Sequence, residues 1–325
     1  MTTAAIARAA RVLRAGGLVA FPTETVYGLG ADASSPDALA RLYAVKRRPV
    51  DHPVIVHLGD PDELDTWGRD VSDEARLLAG AAWPGPLTIV VRRNPLRVPD
   101  AATGGRDTVG LRVPDQSLAL DLLRAFEGGI AAPSANRFGR VSPTTAAHVR
   151  TDLGADVDAI LDGGACRVGI ESTIVDCSGM HVRVLRHGSV TLDRIGEILG
   201  REIAGASDSE GPSAPGRLAA HYQPAARVVV IGHIESAVDE SRDLLARGVR
   251  TGLLASGVLP GALPSGLEIV GNPTDVDDYA RILYGSLREA DARALDVLLV
   301  VPPEPSGLGT AVGDRLHRAA GVDAN

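Results

Sequence analysis

Apolar and polar positions change their period repeatedly along the chain. Short apolar runs at 18–21, 54–58, 87–92, 109–113, 130–132, 159–161, 172–176 and 182–185 predict strands. Between them, residues 36–45, 73–82, 117–126, 142–149 and 191–199 carry apolar positions three and four apart, which predicts helices. Ser35 ahead of Pro36 reads as an N-cap followed by proline at the first helical position, and Ser142-Pro143 repeats that signature. An amphipathic helix over 2–15 opens the chain, with Ile6, Ala9, Val12 and Leu13 set among Arg8, Arg11 and Arg14. So many strands between modest helices predict a twisted mixed α/β sheet and not a helical bundle.

The pattern lapses over 202–225, where Ala, Ser, Gly and Pro dominate without an apolar period. This stretch reads as a linker, yet it holds two ring side chains, His221 and Tyr222, that a passive spacer does not need. Beyond it, strands at 227–231, 251–255, 267–270 and 296–301 alternate with helices at 236–246, 276–290 and 308–320. Clean alternation of this kind predicts a smaller parallel α/β domain of Rossmann-like type. The expected organisation is therefore an N-terminal domain over 1–203, a linker over 204–225 and a C-terminal domain over 226–325.

Composition narrows the function. The chain has 325 residues and a formal charge of −8, which argues against a general nucleic-acid coat and leaves room only for a local basic pocket. Two cysteines, Cys166 and Cys177, have no metal-type spacing and read as reduced, buried thiols. The opening helix lacks the apolar core of a signal peptide, and no apolar run reaches the roughly 20 residues that span a bilayer, so a cytoplasmic protein is expected. Of the 33 cationic residues Lys46 is the sole lysine, leaving 32 arginines. A lysine that survives so strong a bias points to a position that requires a compact ammonium.

Several motifs invite chemistry. Gly307, Gly309 and Gly313 follow an apolar strand and approach a dinucleotide fingerprint, but the third glycine is one residue late and a plain helix-entry turn is the expected reading. No HExxH is present, and Ser134 does not sit in a GxSxG elbow. The remaining set consists of short polar or cationic residues at the mouths of apolar strands: Thr23, Thr25, Lys46, Arg48, His57, Thr108, Arg112, Ser134, Asn136, Ser172 and Arg186. Such a set suits an anion and amino-acid pocket at the strand ends of an open α/β fold.

Taken in order, PTETVYGLG, KRRP, the strand ending IVH, PGPLT, GLRVP, PSAN with SPT, ESTIVD and VLRHG resemble the YrdC/Sua5 family. APGRLAAHYQP and GLGTAVGDRLHRAAG resemble the linker and the closing helix of its long form. The resemblance implies L-threonylcarbamoyladenylate synthesis from ATP, L-threonine and bicarbonate, feeding N6-threonylcarbamoylation of adenosine 37 in tRNA through partner proteins. It implies catalytic roles for Lys46 and Arg48. It implies a threonine pocket of Thr25, His57, Arg112, Ala132 and Ser172. Nucleotide contacts are implied for Arg48, His52, Thr108, Ser134, Asn136, Ser142 and Arg186, with Mg²⁺ arriving alongside ATP and Tyr222 closing over it. Many relatives carry Ser-x-Asn-Pro where this chain has Val50-Asp51-His52-Pro53, so a phosphate contact at Val50 would have to come from backbone. Two other readings stand beside this one: a carbamoyltransferase of the hydrogenase-maturation kind, and an RNA-binding module. The second has only two Trp, five Tyr and three Phe to stack on bases.

Overall fold

A computed structural model describes residues 3–203, 205 and 222–321. Among these, the chain divides into two compact units. The first holds 3–138, 142–167 and 171–203, and the second holds 222–321 together with the short excursions Gly139–Val141 and Val168–Ile170. Most of the expected linker, His221 included, lies outside the described residues.

The first unit is built on β1 (Val19–Phe21), β2 (Gly28–Asp32), β3 (Ile55–His57), β4 (Gly68–Arg69), β5 (Leu87–Arg93), β6 (Thr108–Arg112), β7 (Ile130–Ala131), β8 (Ala159–Ile160), β9 (Thr173–Asp176) and β10 (Arg183–Arg186). They form one mixed sheet in the order β10-β9-β5-β6-β3-β7-β2-β1-β8, with β4 paired to β5. Alternation along the central strands separates two faces. Val56, Leu87, Ile89, Val91, Val109, Leu111, Val175 and Val184 join the large core with the helices. The other face carries His57, Arg112, Thr108, Thr88 and Ile174, and its apolar residues Ile55, Val90, Ile174 and Leu185 form a small separate cluster. Gly110 lies between Ile55 and Val90 in the ladder, so this face is low at its centre and polar at both ends.

The helix Pro36–Lys46 starts as its sequence dictates. Ser35 is extended, its hydroxyl accepts from Ala38 N–H, and Pro36 fills the first turn. It stops at Arg47, which adopts a left-handed φ of 54° and donates to Ala44 and Tyr43 carbonyls. That conformation costs a non-glycine residue about 1 kcal/mol.

One expectation is corrected. Ser142-Pro143 does not begin a helix: the helix runs Ala146–Leu153, capped by the Thr145 hydroxyl. Ser142 instead donates its hydroxyl to the Glu171 carboxylate at 2.7 Å. Gly28 and Gly30 belong to β2, antiparallel to β1, a strand that the apolar pattern did not announce, and a Cβ on Gly30 would meet Ile130 at 2.7 Å and Phe21 at 2.9 Å.

The second unit is a four-stranded sheet of β11 (Arg227–Val230), β12 (Thr251–Ala255), β13 (Glu268–Gly271) and β14 (Val297–Val301), in the order β11-β14-β12-β13 and parallel throughout. The Rossmann-like expectation therefore holds. Gly307 and Gly309 form a helix-entry turn for Leu308–Ala320, and a Cβ on Gly309 would stand 1.9 Å from the Glu304 carbonyl.

Candidate active site

The polar end of the open sheet face gathers residues from several strands. Parallel pairing of β3 and β6 sets His57 and Arg112 side by side at their C-terminal ends. Arg112 is buried, its Nε donates to the Gly85 carbonyl at 3.2 Å, and its Nη2 lies 2.7 Å from Oε1 of Glu24. Its Nη1 has no partner among the described residues. Glu24, Thr23 and Thr25 come from the β1–β2 connection. The Thr23 and Thr25 hydroxyl oxygens are 2.7 Å apart, and Thr23 Oγ1 also lies 2.7 Å from the Val26 carbonyl, which can only accept. Thr23 therefore donates to Val26, Thr25 donates to Thr23, and the Thr25 oxygen keeps lone pairs for an incoming donor.

His57 packs edge-on against Phe21, ring centroids 5.9 Å apart, and its Nδ1 is buried without a hydrogen bond among the described residues. Burial, reinforced by the Arg112 guanidinium, lowers its pKa to about 3, so the ring is neutral at physiological pH. The unfolded chain takes up this proton near pH 6.5 while the folded protein resists until about 3. The folded state is thus favoured above that window and loses stability as pH falls through it, by at most about 1.4 kcal/mol per pH unit. In urea unfolding across the window, the variant H57Q is expected to lose less stability on acidification than the parent; parallel losses would show that His57 does not drive this dependence.

Next along the sheet, Ser172 pairs with Thr88 at 2.8 Å and accepts from Arg186 Nη2 at 3.2 Å, while Arg186 Nε donates to the Ser172 carbonyl at 3.0 Å. Arg186 ends β10 beside Ile174 of β9, which brings it to the same end of the face as Arg112.

A second group forms at the end of the Pro36–Lys46 helix. The Lys46 ammonium donates to the carbonyls of Ser134 and Asn136, the latter at 2.5 Å, and the Phe138 N–H donates back to the Lys46 carbonyl. Burial, with the nearby Arg48 charge, holds the Lys46 pKa well below that of a free lysine. Arg48 donates to Pro53 at 2.9 Å and its guanidinium lies 5.7 Å over the Phe138 ring, which also meets His52 edge-on at 5.5 Å. Lys46, Arg48, His52, Ser134 and Asn136 are thereby assembled in one place. Ala132 follows β7, its N–H bonded to Ile55. Thr108 opens β6 and Arg112 closes it, about 13 Å apart at 3.3 Å per residue, so the structure does not bring those two together. Tyr222 belongs to the second unit, where its buried ring stacks on Tyr284 at 5.3 Å with the Arg315 guanidinium 6.0 Å away.

Glu24, Thr88 and Glu171 were not among the site residues expected from sequence. Each stands inside a motif quoted above, PTET, PGPLT or ESTIVD, and Glu24 and Glu171 adjoin the named residues Thr25 and Ser172. A carboxylate flanked by small hydroxyl residues in an apolar setting is the signal that would have found Glu24 and Glu171.

Comparison with known proteins decides among the readings. A family described as telomere recombination, covering Sua5, YciO and YrdC, matches residues 11–188, and the threonylcarbamoyl-AMP synthase C-terminal domain matches 190–321. The threonylcarbamoyl-AMP synthase of Pyrococcus abyssi is 38% identical over 323 residues, 96% of this chain and 93% of its own length. This chain belongs to the Sua5/YrdC family of threonylcarbamoyl-AMP synthases. The Bacillus subtilis synthase is 37% identical, spanning 97% of this chain and 93% of its own length. The crystal structure of P. abyssi Sua5 complexed with L-threonine superposes with a TM-score of 0.92 at 37% identity, covering 100% of this chain and 97% of that one. The likeness runs through both Sua5/YrdC domains in order, which sets the chain among the long-form synthases.

Proposed function

We infer that this protein makes L-threonylcarbamoyl-AMP from L-threonine, bicarbonate and ATP, releasing pyrophosphate, and so supplies the activated group for threonylcarbamoylation of adenosine 37 in tRNA. The observation that carries the reading is the near full-length likeness to threonylcarbamoyl-AMP synthases, with both of their domains present. The site chemistry agrees with it. Threonine's amine becomes a carbamate, a carbamate oxygen attacks the α-phosphorus, and pyrophosphate leaves. Little covalent work falls to the protein, whose part is positioning and charge neutralisation.

In this reading Arg112 grips the threonine carboxylate through its free Nη1 edge, held in plane by Gly85 and Glu24. Thr25, neutral His57, Ala132 and Ser172 complete the threonine pocket. Arg48, Arg186, His52, Thr108, Ser134, Asn136 and Ser142 serve the nucleotide, with Lys46 shaping the 134–138 loop that meets it. Among the described residues no three His, Cys, Asp or Glu side chains converge into a metal cage. Mg²⁺ fits a site made mainly of phosphate oxygens and water, and no step here is routed through it. Transfer to tRNA falls to partner proteins, and the setting is cytoplasmic; no described helix is long and apolar enough to cross a membrane.

The test is pyrophosphate release from ATP by the full-length protein. Release is expected only when L-threonine and bicarbonate are both present. Release that ignores threonine would overturn the assignment.

A further inference from the structure

Threonine reaches the protein as an ammonium, which has no lone pair to place on carbon. None of the roles assigned above removes that proton. His57 is a poor acceptor, because its pKa sits near 3. Lys46 Nζ is engaged by the Ser134 and Asn136 carbonyls at the helix end, and Arg48, a guanidinium bonded to Pro53, cannot accept a proton. Glu24 is differently placed.

The Glu24 side chain is 1% exposed, and its Oε1 lies 2.7 Å from Arg112 Nη2. That contact is electrostatic, since neither carboxylate oxygen receives a hydrogen bond among the described residues. Desolvating a carboxylate this far is costly unless its lone pairs are filled, and one cation approached off-axis fills few of them. An ammonium carries three N–H donors. Next to the carboxylate in sequence is Thr25, whose oxygen has lone pairs to spare, and next to Arg112 in the sheet is His57, whose buried Nδ1 lacks a hydrogen bond. A zwitterionic amino acid presents opposite charges on adjacent carbons. The abutting Glu24 and Arg112 present the matching pair in reverse.

We propose that Glu24 receives the ammonium of the amino-acid substrate and takes one of its protons, making the amine nucleophilic toward bicarbonate. The inference rests on the synthase reading and adds to it the proton acceptor of the first step. The proton passes from nitrogen to a Glu24 oxygen. The amine lone pair then forms the N–C bond to bicarbonate, whose hydroxyl leaves as water with a second amine proton. The carbamate anion remains, and protonated Glu24 returns its proton to solvent before the next turnover. The other groups facing Glu24 do not compete for that proton. Arg112 is a fixed cation, His57 is neutral, and burial pushes the Cys166 thiol up to about 12.

The test is E24Q, which keeps an oxygen facing Arg112 but loses the charge and the basicity. Near pH 7.5, threonine-dependent pyrophosphate release is expected to fall by about 100-fold, the usual scale for a lost general base. As pH rises toward about 9.5 the free amine of threonine accumulates unaided, and the gap to the parent should narrow by about tenfold. E24D, which keeps an acid, should retain the parent's pH profile. A deficit that stays constant with pH, or E24Q activity within about threefold of the parent, overturns the proposal. A second measurement needs only the unmodified protein: calorimetric binding of L-threonine against 2,3-dihydroxybutanoate, the same molecule with hydroxyl in place of the amine. Preference for threonine by about tenfold or more supports the role of Glu24, and equal affinity overturns it. Failure of the synthase reading would look different, since the parent itself would then show no threonine dependence.

Discussion

Lys46→Arg is expected to lower kcat/KM for pyrophosphate release by about 10²–10³-fold, although the charge is conserved. The Lys46 ammonium is fully enclosed, donating to the Ser134 and Asn136 carbonyls, and it holds that loop against the helix end. A guanidinium is larger, planar and unable to shed its proton, so it must either push the 134–138 segment away or leave the cage. Both routes displace Ser134 and Asn136, and both should appear mainly as a raised KM for ATP. Steady-state kinetics with ATP as the varied substrate measures this directly. Activity within about threefold of the parent would show that the compact ammonium is not what the site requires. The variant K46M, which keeps the stem and loses the charge, separates packing from electrostatics.

Arg112→Lys is expected to raise KM for L-threonine by about 100-fold while changing kcat much less, since a bidentate carboxylate grip is a binding interaction. Lysine can still approach Glu24, but it cannot hold Gly85 and Glu24 and also present a planar edge to substrate. Arg112→Ala goes further and leaves Glu24 a buried charge without its partner, a defect of about 3–5 kcal/mol. Urea midpoints compared for the two variants tell them apart: a large stability loss in the alanine variant alone is the expected result. Equal stability of the two would mean that Glu24 finds another counter-charge.

Helices were legible where caps and period agree. Residues 73–82, 117–126 and 308–320 were expected from pattern and appear with those bounds, and 36–45 gains only Lys46. The strand Gly28–Asp32 was harder to read, because glycine-rich residues carry little β preference and the pairing with β1 and β7 decides it. Ser142 misled for a related reason: its hydroxyl serves a distant carboxylate, Glu171, and local spacing is blind to that. The same limit explains the site. Its cations and hydroxyl residues are conspicuous by type and place, and most were named. Glu24 was hidden, because its meaning depends on standing against Arg112 across the fold.

The two excursions of the first domain's chain into the second unit bear on modularity. Arg140 bridges to Gln223, the Gln223 N–H donates to Gly139, and the Val141 carbonyl accepts from Arg288. Gly169 runs so close to the Ala280 and Arg281 backbone that a Cβ there would meet it at 2.5 Å. A boundary drawn through the linker therefore separates sequence and not structure. The shortened protein 1–203 would keep every residue of its sheet yet strand two backbone turns without their neighbours. Residues 139–141 and 168–170 are thus expected to be held less firmly in the shortened protein than in the full chain.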